Sequence, residues 1–190
     1  MLYIFDLDGT VRITKSGAPC PNDIHDQVIL PGVKEKLTKL KAQGHILVVA
    51  SNQGGVSWGY MTAQQAKEIA NETNRLLGYL FSEIKLSFWH KAGKYRDKYP
   101  NISKPKPDML QGLMREYGQA QTSSSYVGNQ FADQQAAERA GVDFFWAHEF
   151  FGWKNVIYNP KGFFPRKWLS LWKQHKNYRI KSGYEIVKTR

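Results

Sequence analysis

The chain begins with an apolar run that ends in two aspartates, Asp6 and Asp8, followed by Gly9 and Thr10. Two carboxylates this close repel each other unless a cation or a shared proton relieves the charge. Mg²⁺ is the usual cation, because it is a hard ion that prefers oxygen ligands. One carboxylate can then attack phosphorus while the other exchanges a proton with the leaving group. The pair therefore indicates phosphoryl-transfer chemistry, and the alternative for a bare Asp-x-Asp is a strand that ends in a polar turn.

Ser51, Asn52 and Gln53 form a second candidate site, because they follow an apolar segment and precede two glycines, Gly54 and Gly55. A glycine-rich turn offers backbone N–H groups to an anion, and the serine hydroxyl adds another donor. The sequence therefore predicts a phosphate-binding turn here, with an ordinary glycine-rich loop as the alternative.

One of two lysines, Lys104 or Lys106, is the candidate cation of the site, since Pro105 and Pro107 hold the chain extended before a helical pattern begins. A lysine beside the aspartate pair would neutralise both the nucleophile and the transferred phosphoryl group. Lys106 is the alternative, although an isolated lysine is more often simply solvated. We interpret His90, which follows a predicted strand, as a loop histidine without a catalytic role.

Five segments are predicted strands: residues 2–5, 45–50, 84–89, 124–128 and 143–147. The first two are continuously apolar, which is typical of a parallel sheet covered on both faces. A helical pattern follows each of the first four, and Thr62, with Gln65 three residues later, is a predicted helix N-cap. The fold class is therefore α/β, a doubly wound parallel sheet that binds ligands beyond the carboxyl ends of its strands. Residues 11–30 are predicted to be a loop or short hairpin, too short for a cap domain, which leaves the site open.

Composition and charge predict one domain with a basic extension. The 190 residues are 42% hydrophobic, enough for one sizeable core, and no apolar run reaches the length of about 18 residues that a membrane span needs. The apolar start is too short for a signal peptide, and the single cysteine, Cys20, fits a reducing cytoplasm. Residues 154–190 hold ten of the 27 Lys and Arg residues against one acid, Glu185. We therefore divide the chain into a domain at 1–153 and a basic extension at 154–190.

The basic extension is also rich in aromatic residues, and its pattern predicts a helix from Pro165 with one apolar face: Trp168, Leu171, Trp172 and His175. Such a helix can follow a phosphate backbone and stack on bases, or it can lie on an anionic membrane. It can also dock its apolar face on the domain while the lysines are solvated. We expect docking that leaves the charged face free for nucleic acid, with a short strand or a loose end over residues 178–190.

The same segments resemble the motifs of the haloacid dehalogenase superfamily of phosphotransferases, the first of which is similar to residues 5–10, Phe-Asp-Leu-Asp-Gly-Thr. Residues 51–55 resemble the second motif of the branch that includes histidinol-phosphate, heptose-bisphosphate and polynucleotide 3′-phosphatases, with Ser51 where Thr is common. The Lys-Pro-x-Pro element of that branch aligns with Lys104. Its fourth motif, usually Gly-Asp-x-x-x-Asp, aligns with Asn129 and Asp133, so that an amide replaces the first acid.

The resemblance implies a role for each candidate residue. Asp6 would be the nucleophile and Asp8 the general acid/base. Ser51 and Lys104 would hold the phosphoryl oxygens, and the remaining substrate-binding residues would be Gly9, Thr10, Asn52 and Gln53.

The resemblance also implies Mg²⁺, held by Asp6, the main chain of Asp8, and Asn129 or Asp133. Asp133 is then either a metal ligand or a support for the ligands. Asn129 brings one less negative charge than an aspartate, so metal affinity should fall. The heptose-bisphosphate relatives carry a cysteine-rich zinc loop that this sequence lacks, and we expect no zinc.

For the substrate we expect a polynucleotide 3′-phosphate end, and therefore a role in DNA repair. The pattern Ala-x-Glu-Phe-Phe-x-Trp at residues 147–153 looks like the phosphatase domain of polynucleotide kinase/phosphatases, and the open site and basic extension agree with it. A small sugar or histidinol-type phosphate is the alternative substrate. A hypothesis of another class is a nucleic-acid-binding protein that has lost its metal through Asn129. No kinase is implied, because the chain lacks a Gly-x-x-x-x-Gly-Lys-Ser/Thr loop.

Overall fold

Strands and helices alternate along the part of the chain that the computed structural model describes, residues 1–153, 178–180 and 186–188. In chain order they are β1 (Leu2–Phe5), β2 (Arg12–Ile13), β3 (Val28–Ile29), α1 (Val33–Ala42), β4 (Ile46–Asn52), α2 (Gly55–Trp58), α3 (Ala63–Leu77), β5 (Glu83–Ser87), α4 (Asp108–Glu116), β6 (Ser124–Gly128), α5 (Phe131–Ala140), β7 (Asp143–Trp146), α6 (Ala147–Phe151), β8 (Tyr178–Ile180) and β9 (Ile186–Lys188). Among these helices, none is long and apolar enough to cross a membrane.

A five-stranded parallel sheet forms the centre of the fold, in the order β5-β4-β1-β6-β7. β1 lies in the middle, with Phe5 opposite Val49 of β4 and Val127 of β6. Because every neighbouring pair is parallel, the carboxyl ends of all five strands lie at one edge of the sheet. The segments that follow β1, β4 and β6 therefore converge at that edge.

Helices cover both faces of the sheet, which confirms the predicted doubly wound α/β class. On one face, Leu37 of α1 packs in a cluster with Phe5 of β1. On the other face, Leu113 of α4 and Ala137 of α5 pack in a cluster with Ile4. The neighbouring residues Ile4 and Phe5 are thus both fully buried, one on each face. This two-sided burial explains why the strand sequence is continuously apolar instead of alternating.

Several element boundaries differ from the predicted ones for local reasons. β4 extends through Asn52, so Ser51 and Asn52 belong to the strand and not to the turn after it. α3 ends at Leu77 and not near residue 80, because Gly78 adopts a left-handed conformation (φ 84°) that terminates the helix. The short helices α2 and α6 were not predicted, since one or two turns give no periodic pattern. Residues 11–30 contain the hairpin β2–β3, one of the two predicted options.

Most of the basic extension lies outside the described residues, including the helix predicted from Pro165 and its docking face. Within the described residues, β8 pairs with β9 in antiparallel register, with Arg179 opposite Val187. This hairpin agrees with the strand option for residues 178–190. Docking of the extension and its binding to nucleic acid stay predictions.

The N-terminus of α3 has the predicted cap and allows a test of the fold. The Thr62 side chain accepts a hydrogen bond from the Gln65 N–H (3.1 Å), and the Gln65 side chain accepts one from the Thr62 N–H (2.8 Å). We expect Thr62→Ala to lower the free energy of unfolding by about 1 kcal/mol, because the Gln65 N–H loses the hydroxyl that accepts its hydrogen bond. Urea unfolding monitored by circular dichroism measures the change. Thr62→Ser keeps the hydroxyl and should unfold like the wild type; an equal loss in both variants would contradict the capping explanation.

Candidate active site

Asp6 lies at the carboxyl end of the central strand, where its backbone N–H donates to the Val127 carbonyl and extends the β1–β6 ladder (3.0 Å). Its side chain is buried, and Oδ1 accepts a hydrogen bond from Lys104 Nζ at 2.7 Å. The same Nζ lies 2.7 Å from Asp133 Oδ1 and 2.7 Å from the Tyr126 hydroxyl. The structure therefore brings together a buried nucleophile candidate and a buried cation that are 98 residues apart in sequence.

Burial and charge act in opposite directions on this pair. Burial raises the pKa of Asp6 to about 6, against the lowering effect of Lys104, with Asp133 and Asp8 adding to the rise. Burial lowers the pKa of Lys104, but Asp133 and Asp6 outweigh it, so the pKa of Lys104 is raised overall. Lys104 therefore stays charged, while Asp6 is a carboxylate whose negative charge is only partly compensated.

Asn52 fixes the position of Lys104. Its Oδ1 accepts from the Lys104 N–H (2.9 Å), and its Nδ2 donates to the Lys104 carbonyl (3.0 Å). We predicted a substrate-binding role for Asn52 from the sequence. In the structure both polar ends of its side chain contact the Lys104 backbone instead, so it positions the cation. The alternative cation, Lys106, is exposed and donates to the Asn101 carbonyl (2.9 Å).

Asp8 has a different set of partners from Asp6. Its Oδ1 accepts from Arg12 Nε (2.9 Å) and its Oδ2 accepts from Gln53 Nε2 (2.8 Å). Gln53 Nε2 also lies 3.2 Å from the Ser51 hydroxyl oxygen. Gln53 therefore links the end of β4 to Asp8, in addition to the substrate contact predicted for it.

A buried network around Arg12 was not predicted from the sequence. Arg12 is fully buried, and its Nη1 donates to Thr73 Oγ1 (2.7 Å) and Gln27 Oε1 (3.2 Å) and to the Ile69 carbonyl (3.2 Å). Thr73 Oγ1 lies 2.6 Å from Gln27 Oε1. Through Arg12 of β2, the network ties Asp8 to α3. The one available signal was a threonine within the apolar stripe of α3.

Asp133 and Asn129 lie at the end of β6. Asp133 Oδ2 accepts from the N–H groups of Asn129 (3.0 Å) and Gln130 (2.9 Å), and Oδ1 accepts from the Tyr126 hydroxyl (3.0 Å). A Cβ at Gly128 would overlap this carboxyl group, so the glycine is required for the close approach. The sequence left two roles open for Asp133, metal ligand or support for the ligands. Because both oxygens of its carboxylate already have partners, the geometry favours the supporting role.

The turn after Asp8 brings the other predicted residues to the same edge. Gly9 has a positive φ of 79° and its N–H donates to the Arg12 carbonyl (2.8 Å). Thr10 is fully buried, and its hydroxyl lies 3.4 Å from Asn129 Oδ1. This long contact leaves the Asn129 amide oxygen weakly engaged. His90, expected to be non-catalytic, lies in a loop with its ring 5.6 Å from that of Trp58.

The donors present fit a magnesium ion. Among the described residues, no three His, Cys, Asp or Glu side chains converge on one point by themselves. Mg²⁺ nevertheless needs only one or two carboxylates, with water and phosphate oxygens completing its shell. Asp6 offers a buried carboxylate with uncompensated charge, and Asn129 offers a weakly engaged amide oxygen. With the main-chain carbonyl of Asp8, these are the groups that would hold the ion.

The chain is similar to known phosphatases over most of its length. A family model described as polynucleotide kinase 3 phosphatase matches residues 1–157. The D-glycero-beta-D-manno-heptose-1,7-bisphosphate 7-phosphatase of Haemophilus ducreyi is 28% identical over 143 residues, which cover 72% of this chain and 76% of that protein. The enzyme of the same description from Photorhabdus laumondii is 27% identical over 142 residues, which cover 72% of this chain and 74% of that protein.

Solved structures show the same fold. A structure described as a HAD-like phosphatase from Mesorhizobium loti is 27% identical, has a TM-score of 0.65, and covers 74% of this chain and 68% of its own. The D,D-heptose 1.7-bisphosphate phosphatase of B. bronchiseptica, complexed with magnesium and phosphate, is 20% identical and has a TM-score of 0.66. The match covers 84% of this chain and 89% of that one. At 20% identity, the similarity to the B. bronchiseptica structure concerns the fold alone.

The raised pKa of Asp6 predicts an effect on stability. The native state holds the Asp6 proton more tightly than the unfolded chain, so this residue's contribution to stability falls as pH rises from 3.8 to about 6. We expect Asp6→Asn, measured without divalent cations, to unfold at a higher temperature than the wild type at neutral pH. The gain should be about 1 to 3 kcal/mol.

The difference between Asp6→Asn and the wild type should shrink as pH falls from about 6 to 3.8, and below 3.8 it should no longer change, because Asp6 is then neutral in both the native and the unfolded state. Asp143→Asn, which neutralises an exposed acid, should show no such gain at any pH. A gain in Asp6→Asn that did not change with pH would contradict the burial explanation. Thermal unfolding over a pH series measures both variants.

Proposed function

The chain belongs to the polynucleotide kinase 3 phosphatase family within the haloacid dehalogenase superfamily of phosphatases, and we propose that it hydrolyses phosphomonoesters through an aspartyl-phosphate on Asp6. The observation that carries this proposal is the buried contact of Asp6 Oδ1 with Lys104 Nζ, 2.7 Å, at the carboxyl end of the central strand. The match to the family model and the curated relatives confirm the superfamily resemblance of the sequence motifs. Membership in a family of phosphatases also supports an enzyme over the nucleic-acid-binding hypothesis.

The proposed reaction has two steps. An oxygen of Asp6 attacks phosphorus, the ester P–O bond breaks, and Asp8 gives a proton to the leaving oxygen. Asp8 then accepts a proton from water, which attacks the aspartyl-phosphate and releases inorganic phosphate with the Asp6 carboxylate restored. Lys104 and the Ser51 hydroxyl hold the phosphoryl oxygens: Lys104 contacts Asp6 directly, and the Ser51 hydroxyl contacts Gln53, which donates to Asp8.

Asp8 is suited to the proton-transfer role by its fixed position. Arg12 and Gln53 each donate to a different oxygen of its carboxylate, so its orientation is set before substrate binds. Among the described residues, Lys104 is the side chain that donates to the Asp6 carboxylate and aligns it. A nucleophile and a proton carrier are thus distinguished by their neighbours.

Mg²⁺ is the proposed cofactor, held by Asp6, the main chain of Asp8 and Asn129. When bound, it supplies positive charge that reduces the repulsion between the carboxylates and the phosphoryl group. The magnesium and phosphate in the B. bronchiseptica neighbour support this assignment.

The comparisons support a small phosphorylated substrate better than the polynucleotide that the sequence analysis favoured. The curated relatives are heptose-bisphosphate 7-phosphatases, which match the alternative. We therefore place a small phosphomonoester first. A polynucleotide 3′-phosphate end is the second candidate, supported by the description of the family model and by exposed aromatic residues beside the site.

Phosphate release tests the proposed reaction and ranks the two substrate classes. We expect the wild type to release phosphate from p-nitrophenyl phosphate and from a panel of sugar phosphates only with Mg²⁺ present. Asp6→Asn should lose activity by at least about a thousandfold, since it removes the nucleophile. A 3′-phosphorylated oligonucleotide assayed at equal concentration decides between the classes. Activity that persists in Asp6→Asn would overturn the proposed mechanism.

The Arg12 network predicts a leaving-group effect. Thr73→Val keeps the volume of the side chain but removes the nearest of the three oxygens to which Arg12 Nη1 donates, so Arg12 should hold Asp8 less firmly. We expect kcat/KM for an alkyl phosphate, whose leaving oxygen needs a proton, to fall by about tenfold. The value for p-nitrophenyl phosphate should fall much less, because its leaving group departs without protonation.

Thr73→Ser is the matched control, since it retains the hydroxyl that contacts Arg12 and Gln27. It should retain the kcat/KM values of the wild type for both esters. Equal losses with the two esters in Thr73→Val would show that the network acts on folding or binding and not on proton transfer.

A further inference from the structure

An exposed aromatic surface lies outside the buried acid–lysine cluster. It consists of Trp58, Tyr60 and Tyr95, which are 39%, 68% and 37% exposed, and we call it the aromatic surface. The rings of Trp58 and Tyr60 have centroids 6.2 Å apart and planes within 8° of parallel. Neighbouring large rings that remain exposed mark a surface that binds something.

The aromatic surface is held in place by close packing between two loops. The Tyr95 N–H donates to the Ser57 carbonyl (2.7 Å). A Cβ at Gly59 would come within 2.8 Å of the Tyr95 ring, so the backbone there lies directly against it. On the other side, Trp58 packs against His90. The rings are therefore pre-positioned, and a ligand would not have to order them.

Basic side chains border the aromatic surface. Residues 90–99 contain one acid, Asp97, and four exposed basic side chains. The basic residues are Lys91, Lys94, Arg96 and Lys98. The Nζ atoms of Lys94 and Lys98 lie 5.2 and 5.0 Å from the centroid of the Tyr95 ring. The other loop, residues 54–60, carries no charged residue. The combination of flat rings and positive charge attracts a polyanion with π-faces more than it attracts an apolar protein surface.

Both loops lead directly from the candidate active site. Residues 54–60 begin immediately after Gln53, which contacts Asp8. Residues 88–103 connect β5 to Lys104. Trp58 follows Gln53 by five residues. At the rise of an α-helix, five residues span about 7.5 Å along the chain. Stacked nucleotides repeat at about 3.4 Å along a strand, so the rings lie within reach of the nucleotides next to a bound terminal phosphate.

We propose that the aromatic surface binds the unpaired nucleotides adjoining the phosphorylated end of a nucleic-acid strand. Bases stack on Trp58 and Tyr60, and the strand's phosphates pair with Lys91, Lys94 and Lys98. This inference rests on the second candidate of the proposed function, because only a polynucleotide has nucleotides beyond the reacting phosphate. Stacking is independent of base identity, so the surface selects unpaired strands and not a sequence. It also gives the domain a nucleic-acid contact that does not require the basic extension.

Fluorescence anisotropy of the full chain with a labelled, single-stranded oligonucleotide of about ten nucleotides tests the stacking. The oligonucleotide ends in a 3′-hydroxyl, so that binding is measured without turnover. We expect Trp58→Ala/Tyr60→Ala to weaken binding by at least about tenfold, and Tyr60→Ala alone by several-fold. Tyr79→Ala is the matched control, since Tyr79 is 69% exposed and lies after α3, away from the surface. Thermal unfolding verifies that each variant is folded.

A second pair of variants tests the charge. Replacing Lys91, Lys94 and Lys98 by Gln should reduce the slope of log affinity against log salt by about 2, the value for three lost phosphate contacts on a single strand. Replacing the exposed α1 lysines Lys34, Lys39 and Lys41 by Gln lowers the net charge equally and should change the slope much less. Equal changes in both triple variants would show general attraction to a basic protein and would overturn the assigned surface.

The outcomes separate this inference from the proposed function. Wild-type binding that is absent, or that survives in Trp58→Ala/Tyr60→Ala as in Tyr79→Ala, overturns the aromatic surface as a strand-binding site. Hydrolysis of p-nitrophenyl phosphate by the same wild-type preparation tests the reaction independently. Surface-dependent binding without hydrolysis of any ester would leave the strand-binding site supported and the proposed phosphatase reaction wrong.

Discussion

The rest of the structure depends on a buried ion cluster in which Lys104 lies 2.7 Å from both Asp6 and Asp133. Removing such charges from water costs several kcal/mol per ion, so the cluster is stable only if its remaining hydrogen-bonding groups are satisfied. The Tyr126 hydroxyl and two backbone N–H groups supply those bonds. The order of the sheet follows from this requirement, because β1 and β6 must be neighbours for their ends to meet the same lysine.

The two acids of the Asp-x-Asp pair acquire different chemistry from different surroundings. Asp6 is buried against one lysine, and its charge is incompletely balanced. Asp8 is oriented by an arginine and a glutamine, and the arginine is itself anchored in a fully buried network. These surroundings agree with the roles proposed for the two side chains, Asp6 as the nucleophile and Asp8 as the group that exchanges a proton. The spacing of the motif does not produce this difference; the neighbours do.

The sheet, the helices and the carboxylates could be predicted because their signals are local. A strand is a short apolar run, and the residue that ends it is next to it in sequence. The partners could not be predicted in the same way. Arg12 and Thr73 are 61 residues apart, and Asn52 reaches a backbone 52 residues away, so no pattern along the chain connects them. The expected substrate rested in part on the basic extension, which dominates the charge of the sequence, whereas the curated relatives support the small-phosphate alternative better.

Asn129 changes the electrostatic balance of the site and not only its metal affinity. Three carboxylates, Asp6, Asp8 and Asp133, face the cations of Lys104 and Arg12, which leaves one formal negative charge. A fourth carboxylate at position 129 would leave two, which a divalent ion would cancel. With the amide, the same ion would leave the site with one positive charge. At the proposed magnesium site, Asn129 would weaken the hold on the metal but favour an incoming phosphate dianion, and the two effects would act in opposite directions on turnover.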